Sequence, residues 1–226
     1  MRRSPARRKV EGVIDRRGIA MGLWEKVFAA GYDRVMAGSE RDTFSAHRRE
    51  LLAGATGDVI EIGGGTGVNL PFYDGALGSL TVTEPAEPMM KRLQGRAEEE
   101  RPGTTVVGAP AERLPFEAGS FDTAVATLVL CTVDDQPRAL SELHRVLRPG
   151  GRLLFMEHVR SDEEKLARWQ DRLMPIQRAV ACGCRCNRAT LDSIKDAGFE
   201  VTQLEHDTIA HAPPFLRPLI VGVARA

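Results

Sequence analysis

The sequence predicts an α/β fold in which a parallel sheet, covered by helices, is finished by an antiparallel hairpin. Three observations carry this. Short β-rich runs, DVIEI (58–62), SLTVTE (79–84), TTVVG (104–108), FDTAVATLVL (121–130) and RLLFMEHV (152–159), alternate with helix-compatible stretches. Glycines crowd behind the first of them, in GDVIEIGGGTGVNL (57–70), where a strand gives way to the start of a helix. The closing runs EVTQLEHDT (200–208) and PLIVGVARA (218–226) are near enough in sequence to pair antiparallel.

Residues 1–21 form a basic arm with Arg2, Arg3, Arg7, Arg8, Lys9, Arg16 and Arg17 against Glu11 and Asp15. The arm lacks the apolar stretch of a secretory signal. It reads as a disordered solubilising tail or as a segment drawn loosely to anionic lipid, and Met21 is an alternative start. The remainder, 22–226, is long enough for one domain with a full core and too short for two ordinary ones. Its first segment, LWEKVFAAGYDRVM (23–36), sets Leu23, Val27, Phe28, Tyr32 and Val35 on one helical face, and a second helix is predicted over Glu40–Leu52.

Further helices carry their own punctuation. Glu87 is the expected cap of EPMMKRLQGRAEEE, with Pro88 in the first turn. DDQPRALSELHRVLRPGG starts at an Asp/Pro signal and is expected to stop at Pro149-Gly150-Gly151. Residues 162–181 form another helix, and ATLDSIKDAGF a last one that ends at Gly198.

Hydrophobic residues make up 42% and charged residues 27%, proportions that argue against disorder and membrane spanning. The longest apolar run, Ala124–Val133, is about half the length needed to cross a bilayer. With zero formal net charge, the overall balance does not call for nucleic acid as partner. Cys131 stands alone, and Cys182, Cys184 and Cys186 form CGCRC. A core of this size needs no staples and no signal peptide precedes it, so a reducing, cytoplasmic setting is expected.

The glycine turn brings backbone N–H groups close to a ligand at the carboxyl edge of the sheet. A phosphate-binding P-loop is excluded, because no Gly-Lys-Ser/Thr follows. The dinucleotide fingerprint fails at Val68, where its last glycine belongs. Glu61, Gly63, Gly65 and Gly67 fit E-x-G-x-G-x-G instead. A carboxylate ahead of the glycines suits an ammonium group and repels a pyrophosphate. Glu84, closing the second run, is placed to accept from two ribose hydroxyls.

These residues resemble the class I S-adenosylmethionine-dependent methyltransferases. VIEIGGGTG is similar to their first motif, TVTEPAEPMM to the second, APAERLPFEAGSFD to the adenine loop, and LHRVLRPGGRLLFMEH to the segment entering their fifth strand. The resemblance covers about 22–226 and implies a Rossmann-like, doubly wound seven-strand sheet, mostly parallel with an antiparallel last strand and helices on both faces. It implies S-adenosylmethionine as cofactor, with Gly63, Gly64, Gly65 and Gly67 against its methionyl part and Glu84 on its ribose. Pro85 and Met89 would pack near the adenine, Ala111 and Glu112 along its edge, and Thr127 and Leu128 beside the methyl group. Pro110 stands where many relatives have Asp. Residues 22–52, with Tyr32 and Asp33, correspond to a lid over the cofactor, though Tyr32 reads equally as core.

LVLCTVDDQPRALSELHRVLRPGG, FMEHV and GCRCNRATLDSIKDAGF are similar to the subgroup of methyltransferase-like thiol S-methyltransferases and their bacterial homologues. Small-molecule or lipid-like acceptors follow: a thiol first, a phosphatidylethanolamine-type amine or a quinone precursor as alternatives, and peripheral membrane contact with them. A cofactor-binding regulatory module is the non-enzymatic reading. His158, with Glu157 beside it, stands where a base would help a thiol lose its proton. His206 and His211 border the terminal hairpin without informative spacing. C-x-C-x-C lacks paired zinc-ligand spacing, so no metal is expected there.

Overall fold

The computed structural model describes residues 37–74, 77–180 and 183–226. The basic arm, the first expected helix with Tyr32 and Asp33, and Cys182 lie outside the described residues.

Seven strands form one sheet: β1 (Gly57–Ile62), β2 (Leu77–Thr83), β3 (Thr105–Val107), β4 (Phe121–Thr127), β5 (Leu147–His158), β6 (Glu200–Thr208) and β7 (Pro218–Arg225). Their spatial order is β3-β2-β1-β4-β5-β7-β6. β1 to β5 run parallel, while β7 lies antiparallel to both β5 and β6. The helices are α1 (Ser45–Ala53), α2 (Glu87–Glu100), α3 (Gln136–Val146), α4 (Glu164–Val180) and α5 (Thr190–Asp196), and a π-helical turn over Glu40–Phe44 leads into α1.

Both faces of the sheet are buried, because successive residues of its central strands point to opposite sides. Ile60, Ile62, Ala124, Ala126, Leu153 and Phe155 pack with Ala139, Leu140 and Leu143 of α3 and Ile194 of α5. The intervening Val59, Val125, Leu154 and Met156 pack with Leu51 and Leu52 of α1 and Leu93 and Ala97 of α2. Each fully buried Val, Leu, Ile, Phe or Met among them contributes about 1.5 to 3 kcal/mol, and each alanine less. One continuous apolar run per strand therefore feeds two cores, and the helices stand on both faces.

Chain order reverses between β1 and β4. β2 and β3 extend the sheet on one side of β1, and β4 returns to pair with the other. In open sheets of this order that reversal is where a ligand crevice forms, beyond the carboxyl ends of the strands.

Several boundaries differ from expectation, each for a local reason. α2 begins at Glu87 itself with Ala86 ahead of it, and Glu87 is not the cap; the Ala86 amide donates instead to Glu84 Oε1 at 2.8 Å. α3 starts as expected, with Asp135 accepting from the Arg138 amide, but stops at Val146 rather than at the glycines. Pro149-Gly150-Gly151 form an irregularity inside β5, where Gly150 has φ +76° and donates to the Ala226 carbonyl. β4 ends at Thr127 because Leu128 turns to φ 57°. The glycines of the first turn lead into a three-residue 3₁₀ turn, Leu70–Phe72, and not into an α-helix. Pro71 is tolerated in its first turn, and the turn ends because Tyr73 takes an extended conformation.

Gly222 of β7 lies opposite Phe155 on one side and Leu204 on the other. A Cβ at this position would meet Phe155 Cζ at 2.6 Å and the Gln203 carbonyl still closer. Gly222→Ala is expected to cost about 1 to 3 kcal/mol by overpacking. Urea unfolding measures it, and an unchanged midpoint would mean that the hairpin shifts freely against β5.

Candidate active site

Backbone geometry explains the glycines of 63–67 one by one. Gly63 has φ +60°, and a Cβ there would collide with Val129 Cγ2, so the first turn packs directly on the loop that follows β4. Gly65 has φ +57°, yet a Cβ built on it meets nothing within 4 Å among the described residues. The turn thus presents bare backbone to open space at the crevice. Gly64 is limited by crowding, since its Cβ would strike Val82 Cγ1. The turn is fixed from below by the Gly64 amide donating to the Thr83 carbonyl at 2.9 Å and the Gly67 amide to the Gly64 carbonyl at 2.9 Å.

Glu84, just past β2, accepts from the Gly65 amide through Oε2 at 2.9 Å and from the Ala86 amide through Oε1. It is buried, and desolvation raises its pKa although both amides pull the other way. One carboxylate therefore joins the glycine turn to the start of α2. Pro85 is exposed beside it and Met89 half-buried. It is Met90 whose sulfur faces Gly108, at 3.2 Å from the position a Cβ would take.

Beneath the turn lies a polar network of which the sequence singles out only Glu61 and Thr127. Glu61, 2% exposed, accepts from Asn69 Nδ2 at 2.8 Å and from the Tyr73 hydroxyl at 2.6 Å. Asn69 Nδ2 also donates to Thr127 Oγ1 at 2.9 Å. Arg48 of α1 donates through Nη1 to Asn69 Oδ1 and Thr127 Oγ1, and through Nε to Glu40 Oε1 at 2.9 Å. Burial raises the pKa of Glu61 and pushes Tyr73 well above the ordinary tyrosine range. The signal for Arg48 was present in the sequence: it lies at helical spacing from Phe44, Leu51 and Leu52, an arginine inside an apolar stripe.

At the end of β5, Glu157 is fully buried and accepts from the amides of Val129, Leu130 and Cys131 at 2.9, 2.8 and 3.2 Å. Desolvation pushes it up to about 7, and the three amides oppose the shift. His158 follows, half-buried, with Nδ1 at 3.9 Å from the sulfurs of both Cys131 and Cys184, which are themselves 3.7 Å apart. The Cys131 and Cys184 sulfurs are hydrogen-bonded to each other. The hydrogen bond between them draws Cys184 down, with His158 adding to it, and pushes Cys131 up together with burial. Cys186 is buried away from this pair, and burial raises it to about 12.

Other expected residues are placed differently. Ala111 is buried, while the Glu112 carboxylate accepts from the amides of Asp134 and Asp135 ahead of α3. His206 is exposed on β6, and His211 pairs with Asp42. The meeting of Cys184 with Cys131 and His158 had no sequence signal, because it spans elements far apart in the chain.

Arg48→Ala removes the cation of a buried network and leaves Asn69, Thr127 and Glu40 short of a donor. A loss of about 3 to 5 kcal/mol in denaturant unfolding is expected. A loss below about 1 kcal/mol, the range of exposed ion pairs, would show that α1 is held by apolar contact alone.

Residues 60–155, from β1 into β5, match the model of the family described as "Methyltransferase domain". Human thiol S-methyltransferase TMT1A is 33% identical over 221 residues, covering 90% of this chain and 89% of its own. Human TMT1B is 36% identical over 84% of this chain and 77% of its own. Among solved structures, a SAM-dependent methyltransferase of Thermotoga maritima superposes with a TM-score of 0.67 at 24% identity, covering 90% of this chain and 98% of that one, a likeness of fold. With the glycine turn, the acid at the end of β2 and the antiparallel β7 all in place, the chain belongs to the S-adenosylmethionine-dependent methyltransferases.

Proposed function

We propose that the enzyme methylates a small thiol, with the glycine turn and Glu84 holding the cofactor and the Cys131–His158–Cys184 cluster facing the acceptor. The likeness to thiol S-methyltransferase TMT1A supports this, because it extends over 90% of the chain and so includes the region of Cys184 beyond the matched domain. When bound, S-adenosylmethionine supplies an electrophilic methyl group on a sulfonium. The residues fit it: Gly65 offers backbone to open space, and Glu84, held by two amides, keeps further lone pairs for hydroxyl donors.

Methyl transfer is an in-line displacement, so alignment and exclusion of water supply much of the acceleration. Val129 packed against Gly63 keeps the β4 loop close to the cofactor turn, and Glu157 keeps that loop rigid. His158 is the group that assists loss of the thiol proton. A cytoplasmic, reducing location suits the free thiols of Cys131, Cys184 and Cys186. Among the described residues no helix is long and apolar enough to cross a membrane. A lipid amine is the second reading, favoured by the exposed Trp169 and Ile176 on α4.

Glu84→Ala is expected to weaken S-adenosylmethionine binding by about 1.5 to 3 kcal/mol, the loss of a charged acceptor. Calorimetry checks it, and equal affinity would remove Glu84 from the cofactor seat. For the acceptor, product formation with an alkyl thiol is compared with that on phosphatidylethanolamine vesicles. Thiol methylation is expected, reduced about 100-fold or more in His158→Ala. Methylation of the lipid alone would refute the thiol reading.

A further inference from the structure

We propose that Cys131, His158 and Cys184 bind a thiophilic divalent cation such as zinc, with a fourth position left for the acceptor thiol. This deepens the thiol reading and rests on it for the role of the ion, though not for its presence. The three ligand atoms all lie within 4.8 Å of one another. Tetrahedral zinc with Zn–S of about 2.3 Å and Zn–N of about 2.05 Å requires sulfurs about 3.75 Å apart and sulfur–nitrogen edges of about 3.55 Å. The corresponding separations are 3.7 Å between sulfurs and 3.9 Å from each sulfur to Nδ1. A movement of a few tenths of an ångström closes the set.

The surroundings hold these ligands in place before any ion arrives. Glu157 fixes the Cys131 amide, the Arg185 amide donates to the Cys131 carbonyl at 2.8 Å, and Arg188 donates to the carbonyls of Leu130 and Val133. The loop carrying Cys184 is thereby docked on the loop carrying Cys131. Cys131 is 1% and Cys184 6% exposed, while His158 is half-buried, so both sulfurs are shielded and the imidazole is the ligand that reaches toward the surface. Three protein ligands with one open position is the arrangement of a zinc that binds substrate, whereas structural zinc has four. A thiol entering there binds as its thiolate; His158 then assists its ionisation by holding the ion through Nδ1, not by accepting the proton, which goes to solvent with no change in oxidation state. The sulfur retains a lone pair for the methyl group that the transferase reaction supplies.

The spacing of CGCRC, taken alone, predicts no metal there. The proposed site takes one cysteine from that run and draws its other ligands from positions 26 and 53 residues away.

Full-length protein loaded with zinc under reducing conditions and gel-filtered is expected to carry one zinc per chain by elemental analysis. Cys131→Ser and Cys184→Ser should each lower zinc affinity more than about 100-fold, beyond what the loss of a residue merely supporting a ligand costs. Cys186→Ser should retain the ion. Thermal unfolding and calorimetric binding of S-adenosylhomocysteine establish that the variants are folded, and cobalt in place of zinc should give thiolate-to-metal charge-transfer bands that both ligand variants lose. Folded wild-type protein that holds no zinc, or thiol mapping that finds a Cys131–Cys184 disulfide in its place, overturns the site. One bound zinc without methylation of the alkyl thiol upholds the site and refutes the thiol acceptor. Undiminished thiol methylation by zinc-free protein upholds the acceptor and overturns the role given to the ion.

Discussion

Amides at the carboxyl edge of a parallel sheet need acceptors once the ladder ends, and in this protein buried carboxylates provide them where the site is built. Glu84 takes two amides and Glu157 three, while Glu61 holds Asn69 and Tyr73 from below. Each carboxylate is costly to bury and each is satisfied; no buried side-chain nitrogen or oxygen among the described residues lacks a partner. Loops that would otherwise be free to move are consequently held at the edge where chemistry takes place.

Burial and hydrogen bonding oppose each other at all three acids. Desolvation dominates and raises Glu61, Glu84 and Glu157, the last to about 7. Such groups concentrate at functional sites because the arrangement that perturbs them also organises the polar surface around a ligand. Arg48 carries the same logic across the layers. It ties α1 to β1 and β4 through Asn69 and Thr127, so the helix beside the crevice is linked to the floor of the crevice.

The first turn departs most from the simplest expectation. A full α-helix after the glycines would direct a helix terminus at the ligand; in the proposed cofactor seat the short 3₁₀ turn at Leu70–Phe72 leaves recognition to the amides of the turn and to Glu84. The same shortness brings Asn69 and Tyr73 down onto Glu61. A longer helix would carry them along its axis.

By itself the sequence determined the layered α/β class, the order of the strands, the antiparallel hairpin and the glycine turn. These depend on local periodicity and on backbone freedom at particular residues, both written in adjacent positions. The cofactor chemistry was legible for the same reason, since Glu61, the glycines and Glu84 lie within one strand–turn–strand unit. Only the tertiary structure decided that Arg48 joins Glu61's network, that Glu112 turns to the amides ahead of α3, and that Cys184 meets Cys131 and His158. Those contacts join elements brought together by the packing of loops over the sheet edge, and sequence separation carries no record of them. Exact helix ends were decided in the same way. Pro149-Gly150-Gly151 reads locally as a helix stop, but pairing of Leu147 with Phe121 of β4 drew the strand back to Leu147 and left the glycines as an irregularity within it.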